Sequence, residues 1–255
     1  MFLRVKSYLK SRVSVEKWIE LSHFKNSLKV SFSRLCFGFG TKSYAQFGED
    51  MILKSIFDGQ KKGFYVDVGA HHPKNLSNTF YFYKRGWKGI NIDAMPGSMK
   101  KFLHKRKRDI NLEVAISDKE QFLDFYTFNK SAINSFSREH VEELENVENV
   151  VVSKQKISTT TLAKVLDQYF PKQQCIDFLS IDVEGLDLSV LQSNNWSKYR
   201  PKAIVVEDLK VSLNDLQSSS VYQYLRSKGY VLCSLSGPSL IFIREDVNWY
   251  NNREV

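Results

Sequence analysis

Phe64-Tyr-Val-Asp-Val-Gly-Ala70 is an apolar run that closes on Asp67 and delivers Gly69 two residues later. A run of this length bounded by glycine reads as a buried strand, and a glycine at its carboxyl end lets backbone come close to a ligand. A second run, Lys88-Gly-Ile-Asn-Ile-Asp93, closes on another acid. An acid at that strand end can accept hydrogen bonds from two ribose hydroxyls, so the two ends together suit a nucleoside-bearing ligand.

Outward from this pair the chain keeps alternating strands with helical patterns, which predicts an α/β fold with a mainly parallel sheet covered on both faces. The pattern places helices over 47–57, 78–85, 97–108, 160–169, 186–191 and 221–228, and strands over 64–68, 88–93, 111–116, 175–181 and 203–206. Residues 121–128 alternate as an extended edge, and 138–155 are polar enough to form a mobile cover. Tyr230 to Leu235 and Leu240 to Arg244 flank Gly237-Pro238-Ser239, a closing antiparallel hairpin. The bases of 97–108, Arg106 and Arg108 among them, read as a solvated helix face.

The 255 residues suit one α/β domain preceded by an arm. The net charge of +9 is unevenly placed. Residues 1–42 carry nine bases and two acids, whereas residues 43–255 carry 28 bases and 26 acids. The boundary is set near Gly38-Phe-Gly40, giving a basic helical arm over 1–42 and a catalytic domain over 43–255. A domain without a basic face of its own is a poor candidate for gripping nucleic acid. The arm mixes Phe2, Leu3, Val5, Trp18 and Ile19 with its bases, a pattern that either packs on the domain or makes peripheral contact with an anionic membrane or a partner helix. No apolar run reaches the length of a membrane span, and none reads as a signal peptide. Cys36, Cys175 and Cys233 match no metal or disulfide spacing and are expected as buried reduced thiols. These features set the expectation of a cytoplasmic protein, its arm able to reach the inner face of the membrane. They leave a homo-oligomer open.

Four strand ends carry acids: Asp67, Asp93, Asp182 with Glu184, and Glu207 with Asp208. Ligands of open α/β sheets bind outside those ends, although helix N-caps also favour Asp. The acid of Asp67-Val-Gly69 precedes the glycine, an order that points to S-adenosylmethionine more than to a dinucleotide. A dinucleotide cradle needs Gly-x-Gly-x-x-Gly, and here Gly69 is followed by His71, His72 and Pro73. Asp182, Glu207 and Asp208 end neighbouring strands, and three oxygen ligands suit a hard divalent metal such as Mg²⁺. Without a metal, Asp182 or Glu184 could be a general base, with His140 of the polar cover as a further candidate.

Taken together, Tyr44-Ala-Gln-Phe-Gly-Glu-Asp50, Tyr65-Val-Asp-Val-Gly-Ala-His-His-Pro73, Ser77-Asn-Thr79, Gly86-Trp-Lys-Gly-Ile-Asn-Ile-Asp93 and Leu179-Ser-Ile-Asp-Val-Glu-Gly185 resemble the FkbM-type S-adenosylmethionine-dependent methyltransferases. The resemblance runs from about residue 43 to 210 and leaves the arm outside. It implies a class I methyltransferase (Rossmann-like) fold, a seven-stranded mainly parallel sheet with a C-terminal antiparallel hairpin. It also implies O-methylation, often of a sugar hydroxyl in a nucleotide sugar, surface glycan or glycosylated metabolite. Many relatives carry glutamate where this chain has Asp93, and the shorter acid can still bind ribose.

By the same resemblance, Gly69 and Ala70 approach the methionine part of the cofactor, Asp67 holds the loop or the amino group, and Asp93 binds the ribose. Ser117 and Asp118 read the adenine edge, Gln46 and Glu49 close over the cofactor, and His71 and Thr79 complete the binding set. The rival readings are a dinucleotide-dependent sugar-modifying enzyme, a nucleic-acid-directed methyltransferase and a non-catalytic protein on the same fold. The second commonly needs an Asn/Asp-Pro-Pro-aromatic motif, and no two prolines are adjacent here.

Overall fold

A computed structural model of the chain describes residues 40–145 and 148–247, so the expectations for the basic arm and for Cys36 fall on residues outside this description. The central sheet is built from β1 (Phe64–Val68), β2 (Lys88–Asp93), β3 (Ile110–Glu113), β7 (Phe178–Ile181), β8 (Ala203–Glu207), β9 (Tyr230–Ser236) and β10 (Ser239–Arg244). Their order is β3-β2-β1-β7-β8-β10-β9. The first five are mutually parallel, and β10 runs antiparallel to both β8 and β9. The expected closing hairpin is therefore present. The chain leaves β1 towards β2 and β3 and returns beside β1 as β7, so the strand order reverses between β1 and β7.

The two faces of the sheet follow the period of two along each strand. Val66, Val68, Ile90, Ile92, Leu179, Ile181, Ile204 and Val206 pack one face. That face is covered by α5 (Leu162–Tyr169), α6 (Asp187–Gln192) and α7 (Ser220–Ser227). Tyr65, Phe178, Ala203 and Val205 pack the other against Leu53 of α1 (Glu49–Ile56) and Tyr81 and Phe82 of α2 (Phe80–Lys84). Strands buried on both faces explain why β1 and β2 read as nearly unbroken apolar runs.

Several expectations shift. The 111–116 strand divides into β3 and a two-residue β4 (Ala115–Ile116) that leaves the central sheet. β4 joins β5 (Phe122–Phe128) and β6 (Val151–Thr160) in a second, three-stranded sheet of order β4-β6-β5. The polar stretch 138–155 is thus no loose cover: it contains α4 (Arg138–Leu144) and half of β6. Polar alternation hid β6 because its residues 152–156 are exposed. Cys175 lies in the turn before β7 and is exposed, and Cys233 is half-buried, so neither is a core thiol. No helix among the described residues is long and apolar enough to cross a membrane.

The helix expected over 97–108 is α3 (Met99–Lys105), and Arg106, which ends it, is wholly buried rather than solvated. Its Nε donates to Asp109 Oδ2 at 2.9 Å. Its other nitrogens donate to the Pro73 carbonyl at 2.9 Å, to Tyr65 Oη at 3.0 Å and to Thr79 Oγ1 at 2.6 Å. One guanidinium thus ties β1, the loop after β1, α2 and α3 together. Gly89 makes room for the Tyr65 ring that meets this group: a Cβ there would lie 2.1 Å from it.

Replacing Arg106 by Leu strands the buried Asp109 carboxylate and should lower unfolding free energy by about 3–5 kcal/mol. Lys164→Ala, which breaks the half-exposed pair with Glu120, should cost under ~1 kcal/mol. Urea denaturation of both variants measures the difference.

Candidate active site

The site forms where the strand order reverses, the place where open α/β sheets bind ligands. At this point β1 ends in Val68-Gly69 and β7 ends in Ile181-Asp182, paired in register. Gly69 has φ 85°, and a Cβ on it would stand 1.7 Å from the Asp182 carbonyl oxygen. The glycine is therefore demanded first by the approach of the chain to itself, which brings Asp182 beside the end of β1. The loop then turns through His71 at φ 47°, a left-handed conformation that is strained for a residue with a Cβ. Asp93, at the end of β2, fixes this loop: Oδ2 accepts from the His71 N–H at 2.8 Å and Oδ1 from the Met95 N–H at 2.8 Å. Each oxygen keeps lone-pair capacity for a further donor.

Between these strand ends lies a cavity with about 190 Å³ of space open to the centres of water molecules. That is room for on the order of a dozen waters, the scale of a nucleoside rather than of an ion. Gln46, Gly69, His71, Asp93, Asp182 and Glu184 supply its polar wall, and Ile92, Met95, Val114, Ile116 and Phe125 its apolar wall. Gln46 is presented by a segment locked at both ends. Asp50 accepts from Ser43 Oγ at 2.6 Å and the Tyr44 N–H at 2.7 Å, and Glu49 accepts from the Phe47 N–H at 2.9 Å and Ser239 Oγ at 3.0 Å.

The far wall is the turn that follows β7. Glu184 has φ 53° and Gly185 φ 101°, two successive left-handed residues. Asp187 holds them, accepting from the N–H groups of Val183 and Gly185 at 3.1 Å each. The Glu184 carbonyl accepts from Ser135 Oγ at 2.6 Å, and Glu184 Oε2 lies 3.1 Å from His140 Nε2 on α4. Ser137 caps α4 by accepting from the His140 N–H, so His140 stands in its first turn.

Carboxyl oxygens of Asp182, Glu184 and Glu207 all lie within 4.8 Å of one another. Burial raises the carboxyls of Asp182 and Glu207 above the usual carboxylate range, and the nearby carboxylates add to this. Asp182 has exposed surface because the cavity opens onto it. Protein encloses it on its other sides, so the field it feels is that of a buried group. Burial pushes Glu184 up to about 8 and Asp187 up to about 6, and it lowers His140. The Glu184–His140 contact has the spacing of an ion pair, yet burial drives each partner towards its neutral form. One proton held between them leaves the pair neutral overall in either arrangement.

The structure brings Gln46, Gly69, His71, Asp93, Asp182 and Glu184 to the cavity and puts the other expected residues elsewhere. Asp67 points the opposite way, accepting from Thr79 Oγ1 at 2.8 Å, and burial lifts its carboxyl to about 6. Thr79 is fully buried between Asp67 and Arg106. Ala70 packs on Met99 and Phe102. Ser117 is buried with its hydroxyl on Asp118, one residue past the Ile116 that lines the cavity. Glu49 is buried in the tie to Ser239. His72 accepts from the N–H groups of Lys74 and Asn75 at 3.1 Å each, a turn-capping role. Asp208 does not join the acid cluster, because its oxygens accept from Ser219 Oγ at 2.5 Å and the Lys210 N–H at 3.1 Å. Glu184 takes its place.

Sequence reasoning missed Met95, Phe125 and Asn134. Asn134 reaches Met95, with its Nδ2 3.5 Å from the sulfur, and the Phe125 ring packs tilted against Phe136, centroids 4.7 Å apart. The available signal was Ala94-Met95-Pro96 directly after Asp93.

Glu207 Oε2 is buried without a hydrogen-bond partner. An all-carboxylate donor set with one unsatisfied oxygen fits a hard divalent cation. In EDTA, folded-state carboxyls with raised pKa bind more protons than unfolded ones. Their stability contribution is complete below pH ~4, the unfolded carboxylate range, and is lost as pH rises through the folded values near 6 to 8. The melting temperature should therefore fall between pH 5 and 8.5. Asp182→Asn, which can still donate to Glu207, should raise it by roughly 2–4 °C at pH 8.5 and by less at pH 5, read by differential scanning fluorimetry.

Comparison with known proteins bears on the chemistry. A search of curated proteins returns no match. The family model of the methyltransferase FkbM domain matches residues 67–232, which hold the carboxyl end of β1, β2, β3, β7, β8, the acid turn and the second sheet. Membership implies S-adenosylmethionine as methyl donor, and the cavity's acid-and-apolar wall at the β1/β7 reversal is chemically suited to a nucleoside. The chain belongs to the FkbM family of methyltransferases.

Proposed function

We propose that the protein is an S-adenosylmethionine-dependent O-methyltransferase acting on a sugar hydroxyl. The observation that carries the reading is the placement of Asp182 and Glu184: they form one wall of a nucleoside-sized cavity and belong to a cluster of acids able to accept a proton. Bound in the cavity, S-adenosylmethionine supplies an electrophilic methyl on a sulfonium sulfur. Asp93 accepts the ribose hydroxyls, and Ile92, Met95, Ile116 and Phe125 receive the adenine. Gln46 and the loop after Gly69 bound the methionine end.

The acceptor hydroxyl has to be aligned and to lose its proton, and alignment supplies much of the rate. Asp182 takes the proton as the new carbon–oxygen bond forms, while the electron pair of the broken carbon–sulfur bond stays on sulfur. The Asp182–Glu207 pair holds one proton between two carboxyls near neutrality, so it retains an oxygen that can accept another. Glu184 and His140 orient the hydroxyl. A divalent ion held by Asp182, Glu184 and Glu207 would supply Lewis acidity at the same oxygen.

Asp93→Ala should raise the KM for S-adenosylmethionine at least tenfold, about 1.4 kcal/mol of lost binding, with a smaller effect on kcat. Asp182→Asn should lower kcat by about 10²–10⁴-fold and leave the donor KM near that of the wild type. The wild-type rate should climb with pH as the Asp182 pair gives up its proton. Steady-state kinetics with a glycan acceptor measures all three. Asp182→Asn with wild-type kcat defeats the assignment. A rate lost in EDTA and restored by Mg²⁺ assigns a metal to the acids, and a rate that survives EDTA assigns the proton to the carboxylates alone.

A further inference from the structure

We infer that the acceptor enters through a second cavity, behind the acid turn, and that the sugar unit filling it carries neither phosphate nor carboxylate. The inference rests on the proposed sugar O-methylation and adds to it the route and the charge class of the acceptor. The second cavity offers about 200 Å³ to the centres of water molecules. It shares the turn after β7 with the first: Asp182 and Glu184 line the first cavity, and Gly185 and Asp187 line the second. His140 belongs to the second cavity and touches Glu184 of the first at 3.1 Å. A hydroxyl brought in from this side reaches Glu207, which lines this cavity and belongs to the acid cluster with Asp182 and Glu184.

The lining matches the two sides of a pyranose. Leu188, Leu209 and Val221 present apolar surface, suited to the ring's C–H face. Ser137, Ser220 and the carboxylates present acceptors for hydroxyl groups.

Charge decides which sugars fit. Glu139 and Glu143 on α4, together with Asp187, Glu207 and Asp208, bring five carboxyl groups to this wall. Lys210 is the one lysine or arginine among the lining residues, and its Nζ lies 3.9 Å from Glu143. A phosphate or carboxylate entering here would meet a net negative wall, and like charges repel. The chain's formal charge of +9 would suggest an acidic partner, but +7 of it lies in residues 1–42, so the domain that holds this cavity contributes little of that excess.

The test measures S-adenosylhomocysteine release from wild-type protein and from Glu139→Gln/Glu143→Gln. The acceptors are methyl glycosides of a neutral hexose, an N-acetylhexosamine, a free hexosamine, a hexuronate and a hexose 6-phosphate. The expected result is kcat/KM for the first three above that for the two anionic glycosides by on the order of tenfold. The double variant should narrow that ratio while S-adenosylhomocysteine affinity, read by calorimetry, stays unchanged. Preference for the anionic glycosides, or a ratio that the double variant leaves in place, overturns the inference and leaves sugar O-methylation standing. Turnover of none of the five by protein that binds S-adenosylhomocysteine overturns the sugar reading and the inference with it.

Discussion

The contact on which the site depends is the approach of Gly69 to the backbone carbonyl of Asp182. It closes the ends of β1 and β7 against each other where the strand order reverses. A side chain of any size at position 69 would have to push the two strand ends apart. From this contact follow the direction of the loop through His71, the hold of Asp93 on that loop and the start of the acid turn at Asp182. The Arg106 network anchors the same loop from beneath through the Pro73 carbonyl. The wall of the cavity at the strand-order reversal is thus fixed by backbone contacts and by a buried guanidinium.

Against this rigid frame the acid turn is energetically unfavourable. Glu184 and Gly185 are left-handed in succession, and three carboxyls crowd within 4.8 Å with burial opposing their ionisation. Folding alone offers no benefit from that arrangement, since Asn or Gln would relieve the repulsion at little structural cost. Strained backbone and like-charge clusters of this kind concentrate at functional sites, where the surrounding structure holds them in place. Asp187 and Ser135 provide that hold, and α4 adds the Glu184–His140 contact.

The parallel sheet, its closing hairpin and the roles of Gly69 and Asp93 as cavity residues were legible from sequence. Apolar strand runs and strand-end glycine or acid are local signals that depend on burial and backbone sterics. The second sheet was not legible, because β6 is polar and exposed over most of its length and pairs with β5 for reasons that only the tertiary structure shows. Side-chain direction was also beyond reach. Asp67 and Thr79 stand within a few residues of the cavity yet turn beneath the sheet to Arg106, whose burial contradicts the solvated face its neighbours in sequence suggest. Asp208 shows the same limit in miniature: it adjoins Glu207, but alternation along the chain sends it to Ser219 and Glu207 to Asp182.

The central claim is that the cavity at the β1/β7 reversal holds a sulfur-linked nucleoside. Calorimetric titration of the wild-type protein with S-adenosylhomocysteine, and in parallel with NADH, tests it without knowledge of the acceptor. The account predicts saturable one-to-one binding of S-adenosylhomocysteine and none of NADH. Absence of S-adenosylhomocysteine binding, or tighter binding of NADH, would contradict it.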